Sequence, residues 1–433
     1  MDATVSRMAD QAGGQDRATV RARRRSLVAT TVGNFLEWYD FIIYAYFATT
    51  IAARFFPSSD AVAGLLSTFA VFGIGFVMRP VGGIVIGRFA DRHGRKPALM
   101  LTVFLMAGGS VMIGVLPDYA TIGLAAPLLL TLARLIQGFS AGGEWGSAAT
   151  FVIEWAPANK RGFLSGTLNL TTFVGVLLGS GAAALLSTLV PKEVVDAWAW
   201  RIPFLAGGLL GVVGLYMRRS IDETPVFKEQ VAHDPTPSLQ VSGLVLRIFA
   251  LSAISQASFY VCFAYFPTFV QTYTKIGRSE ALWSNTLALS LLLVLAPLVG
   301  LLSDRVRRRL LFLQVSAVLT LTVPFFMVRF VLAEPTFANL LIAQLGFAVI
   351  YALPCGVVQA SFAEALPTRW RLFVIATAYN LAGVAFAAFA PYVSIWLIQT
   401  TGSPLAVCSL LVVAAIATGL GTIGLRERAG EPL

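Results

Sequence analysis

The chain has 433 residues, 57% hydrophobic and only 12% charged, with a mean hydropathy of +0.76; soluble domains carry about 25% charged residues, so a soluble globular protein is excluded. The net charge of +10 does not mark a nucleic-acid binder, because the basic residues gather in short segments between apolar runs instead of lining one face. Cys262, Cys355 and Cys408 each fall inside an apolar run without metal-ligand spacing, which argues against a disulfide framework or a zinc site.

Residues 1–26 form a polar tail ending in RARRR; the apolar run behind it is too long for a signal-peptide core and reads as a retained first helix. Stretches long enough to cross about 30 Å of hydrocarbon, at about 1.5 Å per residue, centre near Trp38, Gly75, Ala107, Gln137, Val174, Gly208, Ala257, Leu291, Val318, Gly346, Ala385 and Val412. With the N-terminus inside, the inner segments hold about twenty-four of the 32 Lys and Arg residues, against Arg54, Lys192, Lys275 and Arg278 in outer loops. Both termini are therefore expected in the cytoplasm. The expected division is a tail (1–26), a six-helix bundle (27–217), a charged linker (218–243), a second bundle (244–425) and a C-terminal tail (426–433).

The first helix carries GNFLEWYDF, Gly33 to Phe41, where an ionised carboxylate in hydrocarbon costs about 2.5 to 3.5 kcal/mol even on lenient scales. Asn34, Glu37, Asp40 and Tyr44 share an arc of about 120° on a helical wheel. Glu37 and, on the second helix, Arg79 both sit roughly 18 Å above the inner charged markers, so they are expected to pair. On the fourth helix Arg134, Gln137, Ala141 and Glu144 fall within about 80° of one another, flanked by Gly138, Gly142 and Gly143 that permit tight packing. Glu37, Asp40 and Glu144 outnumber Arg79 and Arg134, which leaves one acid to take a proton. Both histidines, His93 and His233, fall in inner loops, so proton carriage is assigned to carboxylates. The second half offers amides and phenols, among them Tyr260, Gln359 and Asn380, as candidate solute contacts.

Internal repetition is visible. EWAPANKR, Glu154 to Arg161, and EALPTRWR, Glu364 to Arg371, share the pattern E-x-x-P-x-x-x-R at an offset of 210, and GRFADR, Gly87 to Arg92, is echoed by GLLSDR, Gly300 to Arg305. Two parallel halves handling a substrate between them is a transporter architecture. GRFADRHGRK, Gly87 to Lys96, resembles the G-x-x-x-D-R-x-G-R-[KR] signature of the major facilitator superfamily, complete in this copy, whereas the second copy has Arg307 in place of the glycine. RLIQGFSAGGE resembles that superfamily's R-x-x-x-G-x-x-x-G motif. GNFLEWYDF, FVMRPVGG, ARLIQGFSAGGEWG and AWAWRIPF together resemble its metabolite:proton symporter branch, which includes permeases for citrate, α-ketoglutarate, shikimate, and proline with betaine.

The resemblance implies an all-α membrane protein of twelve transmembrane helices in two pseudo-symmetric six-helix bundles, with Arg134 tied to proton coupling. It implies a cytoplasmic gate at Gly87, Asp91, Arg92, Gly94 and Arg95 and at Asp304 and Arg305; Glu154, Arg161, Glu364 and Arg371 are assigned to the same gate. Asp91 and Asp304 each have a helix N-terminus in the opposite half to dock on, just after Arg371 and Arg161. Candidate solute-binding residues are Asn34, Tyr44, Arg79, Arg134, Gln137, Tyr260, Gln359 and Asn380; proton candidates are Glu37, Asp40 and Glu144. The expected activity is proton-coupled import of a small organic acid such as citrate, tricarballylate or α-ketoglutarate across a bacterial inner membrane, by a monomer without cofactor or metal. Two buried arginines motivate the anion. The alternatives are a proline/betaine osmolyte symporter, an exporter by proton antiport, whose usual fifth-helix proline is missing from GVLLGSGAAA, and a membrane sensor. No Walker A, Rossmann or Ser-His-Asp pattern points to catalysis.

Overall fold

The computed structural model describes residues 34–142, 156–157, 159–219 and 239–431. The described residues form helices and connecting turns. The membrane helices are α1 (residues 34–46, continuing after Phe47 as Ala48–Phe55), α2 (Ala61–His93), α3 (Arg95–Val115), α4 (Ala125–Ala141), α5 (Arg161–Leu189) and α6 (Ile202–Arg219). In the second half come α7 (Leu239–Phe259, a π-helical Tyr260–Tyr265, then Phe266–Tyr273), α8 (Arg278–Val306), α9 (Arg309–Ala333) and α10 (Phe337–Ala365). They are followed by α11 (Thr368–Ala382, a π-helical Gly383–Ala388, then Ala390–Thr401) and α12 (Ser409–Thr422). Ten of these are long and apolar enough to cross a bilayer; the other two are α1, which opens at the first described residue, and α4, a shorter apolar helix. Each expected centre falls within its helix. Helices suit this setting because every backbone group is satisfied within its own segment.

Packing sorts the helices as the repetition implies. In the first group α2 and α3 lie against α4, and α3 against α6; in the second, α7 packs on α11 and α12, α9 on α10 and α12, and α8 on α10. The two groups meet where α5 runs beside α8 and α10 and where α2 touches α11. Outward faces carry exposed apolar side chains such as Phe104, Leu209 and Phe326, which hydrocarbon accommodates without cost. The repeat is also written in the backbone: Gly94 and Arg307, which occupy the same signature position, both take positive φ, 96° and 55°. The end of the bundle carrying these turns is called the basic end below.

Glu144 and Glu154 lie outside the described residues, as do the N-terminal tail and most of the 218–243 linker; nothing is described of the side chains of Asp91 and Arg95.

Candidate functional site

The charged centre is set up by small residues. A Cβ on Gly138 would strike the Gly75 carbonyl, and one on Gly142 the Arg79 carbonyl. The spacing R-x-x-x-G-x-x-x-G thus brings α2 and α4 into backbone contact, with the Arg134 carbonyl beside Gly75 and the Arg79 carbonyl beside Gly142. Arg79 Nη2 lies 3.8 Å from Glu37 Oε1, and its guanidinium faces Phe76 at 4.3 Å and Phe41 at 4.8 Å. Arg134 is fully buried. Its charge is met by the faces of Phe41 at 4.3 Å and Tyr44 at 4.5 Å, contacts that gain strength when desolvated.

From Arg134 a hydrogen-bonded chain runs to a carboxylate. Arg134 Nη1 donates to Gln137 Oε1 at 2.9 Å, Gln137 Nε2 donates to Ser110 Oγ at 2.9 Å, and the Ser110 hydroxyl is left to donate to Asp40. Asp40 is 1% exposed. Its Oδ1 has no hydrogen-bond partner and lies against Gly207 of α6, where a Cβ would collide with it.

The first-helix arc does not form one polar face. Asn34 Nδ2 reaches α5, donating to Thr171 Oγ1 at 2.6 Å and Thr172 Oγ1 at 3.1 Å. Tyr44 donates to the Thr68 carbonyl of α2 at 3.0 Å. Glu37 turns to Arg79 and Asp40 into the first bundle. An arc of about 120° on an enclosed helix meets several neighbours rather than one cavity.

From the second half, Tyr260 enters on the π-helical turn of α7. It is 1% exposed, packs edge-on to Phe76 at 5.2 Å, and leaves its hydroxyl without a hydrogen-bond partner beside the charges of Arg79, Glu37 and Arg134. The other two expected solute contacts are otherwise engaged. Gln359 accepts from Ser165 Oγ at 2.8 Å and donates to Asn169 Oδ1 at 3.0 Å, joining α10 to α5 across the halves. Asn380 Nδ2 turns back to the Ala376 carbonyl of its own helix at 2.9 Å.

At the basic end Asp304 accepts from the backbone N–H groups of Gly162 and Phe163, both at 2.8 Å, the helix-N-terminus docking expected for it. The arginine in the glycine position does not prevent this. Arg309, 1% exposed, bridges Asp304 at 3.1 Å and Glu364 at 2.6 Å, and Glu364 also lies 3.5 Å from Arg161. Arg161 donates further to the Glu431 carbonyl at 2.7 Å. Arg371 satisfies the end of α10, donating to Ala363 O at 3.0 Å and Leu366 O at 3.2 Å. Arg92 and Arg305 are exposed. Gly87 is expected to admit a close helix, yet among the described residues a Cβ there would meet nothing, whereas its counterpart Gly300 touches the Gly162 carbonyl.

Two features escape sequence reasoning. Arg309 is hidden in DRVRRR, where loop charge accounts for every arginine; its place at the last basic position of the signature is the available signal. At the opposite end Arg278 of α8 reaches across to the first half, to Asp196 Oδ1 at 2.9 Å, Thr50 Oγ1 at 2.8 Å and Thr49 Oγ1 at 3.0 Å. No motif marks it.

A bundle of membrane-length helices in two packed halves, with a charged centre buried in the first, is the architecture of a membrane transporter. Residues 26–235 match the sugar (and other) transporter family. The chain is 31% identical over 430 residues to the proline/betaine transporter of Salmonella typhimurium, spanning 95% of this chain and 85% of that one. It is 34% identical over 396 residues to a putative proline/betaine transporter of Staphylococcus aureus, spanning 88% and 84%. Its fold is similar to the crystal structure of a D-xylose-proton symporter, with a TM-score of 0.73 at 17% identity over 94% of this chain and 99% of that one. The chain belongs to the major facilitator superfamily, in one family with the proline/betaine transporters.

Proposed function

We propose that the protein imports a small zwitterionic osmolyte of the proline or betaine kind together with a proton, across a bacterial inner membrane with both termini in the cytoplasm. The likeness to proline/betaine transporters over 95% of the chain carries this reading and favours it over the organic acid preferred from the arginines alone. Charge supports it too. Counted in the sequence, the acids of the first-half helices, Glu37, Asp40 and Glu144, outnumber Arg79 and Arg134 by one. One proton brings that set to neutrality, a zwitterion keeps it neutral, and a carboxylic acid anion leaves an uncompensated charge in a poorly solvating interior. In this scheme the solute carboxylate takes Arg79, Glu37 is displaced from it, and Asp40 carries the proton. The two halves then rock to expose the site alternately.

The test is uptake into proteoliposomes with a pH gradient, acid outside. Labelled proline or betaine is expected to accumulate above equilibrium and to stop doing so when a protonophore is added. Accumulation of citrate or α-ketoglutarate, with no uptake of either zwitterion, would return the assignment to the organic acids.

A further inference from the structure

Inside the first bundle, between α1, α3, α4 and α6, lies a small recess, of about one water's size, lined by Glu37, Asp40, Thr102, Val103, Ser140 and Gly211, among others. None of its lining residues comes from the second half. Its position along the helices gives it a direction. Thr102 is seven residues from the start of α3 at Arg95, about 10 Å from the basic end, and Gly211 is eight residues from the end of α6 at Arg219, about 12 Å. Gly207, against which Asp40 Oδ1 rests, lies twelve residues from Arg219, about 18 Å. The recess therefore descends from Asp40 toward the basic end. It has room for a water, with the Asp40 and Glu37 carboxyl groups and the Ser140 hydroxyl among the polar groups of its lining.

We infer that Asp40 exchanges its proton with the solvent at the basic end through this recess, within the amino-terminal bundle, while the solute crosses between the halves. The inference rests on the proposed proton symport. It separates two routes that a shared central cavity would merge. At this end the junction of the halves is held by Asp304 on the α5 N-terminus and by Gln359 bonded to Asn169, and neither contact closes a recess built from one half alone. A proton passes from the Asp40 carboxylic acid to a recess water, which releases one of its own protons toward solvent, leaving the carboxylate. The charged groups around Asp40 are Glu37 on its own helix, Arg134 on α4 and, through Glu37, Arg79 on α2.

The test is Val103→Phe, which puts a larger side chain into the recess while leaving every charged residue in place. In proteoliposomes, exchange of labelled betaine for unlabelled betaine is expected to stay near the wild-type rate, while accumulation driven by a pH gradient falls about tenfold or more, the scale at which losing a proton relay is felt. Full pH-driven accumulation by the folded variant would overturn the separate route. A wild-type protein that exchanges betaine but never accumulates it on a pH gradient would instead remove the proton symport itself. Should Val103→Phe fail to fold, the smaller enlargement Val103→Leu replaces it. Its pH-driven accumulation is expected to fall while betaine exchange is retained; full accumulation by this folded variant would refute the recess as a water path.

Discussion

Asp40 keeps its place because residue 207 has no side chain. Substituting Gly207→Ala puts a methyl group where Oδ1 lies, and overpacking of this kind costs about 1–3 kcal/mol; a lowered unfolding midpoint together with weakened coupling is the expected result. Asp40→Asn is the complementary change, retaining an acceptor for Ser110 while abolishing titration. It should preserve betaine exchange and eliminate pH-driven accumulation; if accumulation persists, the proton resides on another carboxylate. The sign of the pH dependence follows from loading the acid form, so wild-type uptake should decline as the external pH rises. Glu37, Asp40, Arg79 and Arg134 were legible in the sequence because charge among apolar residues is expensive and rarely idle. The partners of Asn34, Gln359 and Asn380 were not, because a wheel gives a direction around one helix and says nothing about which helix stands there.

Between elements, contact depends on backbones that come close and on charges that dock at helix ends. A Cβ on Gly162 would strike both Ser303 Oγ and the Gly300 carbonyl, so α5 and α8 approach at the level where Asp304 accepts the two free N–H groups of α5. Asp304→Asn reduces that charge-assisted pair and leaves Arg309 with Glu364 alone. Hydrogen bonds to charged groups contribute about 1.5–3 kcal/mol, so this junction should open more readily. Faster modification of a cysteine introduced at Phe163 would report it, and an unchanged rate would show that Asp304 does not hold the junction. The duplicated signature foretold this docking on α5. Arg307 shows what a signature does not convey: the turn survives with φ at 55° although the residue type that favours such a turn has gone.

For the molecule as a whole, the halves touch at both ends of α5. Near the basic end stand Gly162, Ser165 and Asn169; toward the opposite end Ser180 meets Thr286 at 2.8 Å, and Thr188 Oγ1 lies 2.7 Å from Ser279 Oγ. Alternating access requires one set to part while the other holds. The paired substitution Thr188→Cys with Ser279→Cys tests this directly, since side chains this near can be bridged. Oxidation should arrest transport and a reductant should restore it; transport that continues through the closed disulfide would rule out parting at that end. The number of helices, their order and the two-fold repetition could all be read from hydropathy and motifs. The seam between the halves could not, because most of its contacts join ordinary serines, threonines and amides whose pairing depends on the three-dimensional arrangement.

The π-helical turns of α7 and α11 carry a last consequence. Each holds one residue more than an α-helical turn needs, so drawing that residue into regular winding would swivel everything beyond it by about 100° while retaining most of the ladder of backbone bonds. Both lie midway along helices that border the first half, at Tyr260–Tyr265 and Gly383–Ala388. They give the carboxy-terminal bundle two places where a helix can change its winding without coming apart.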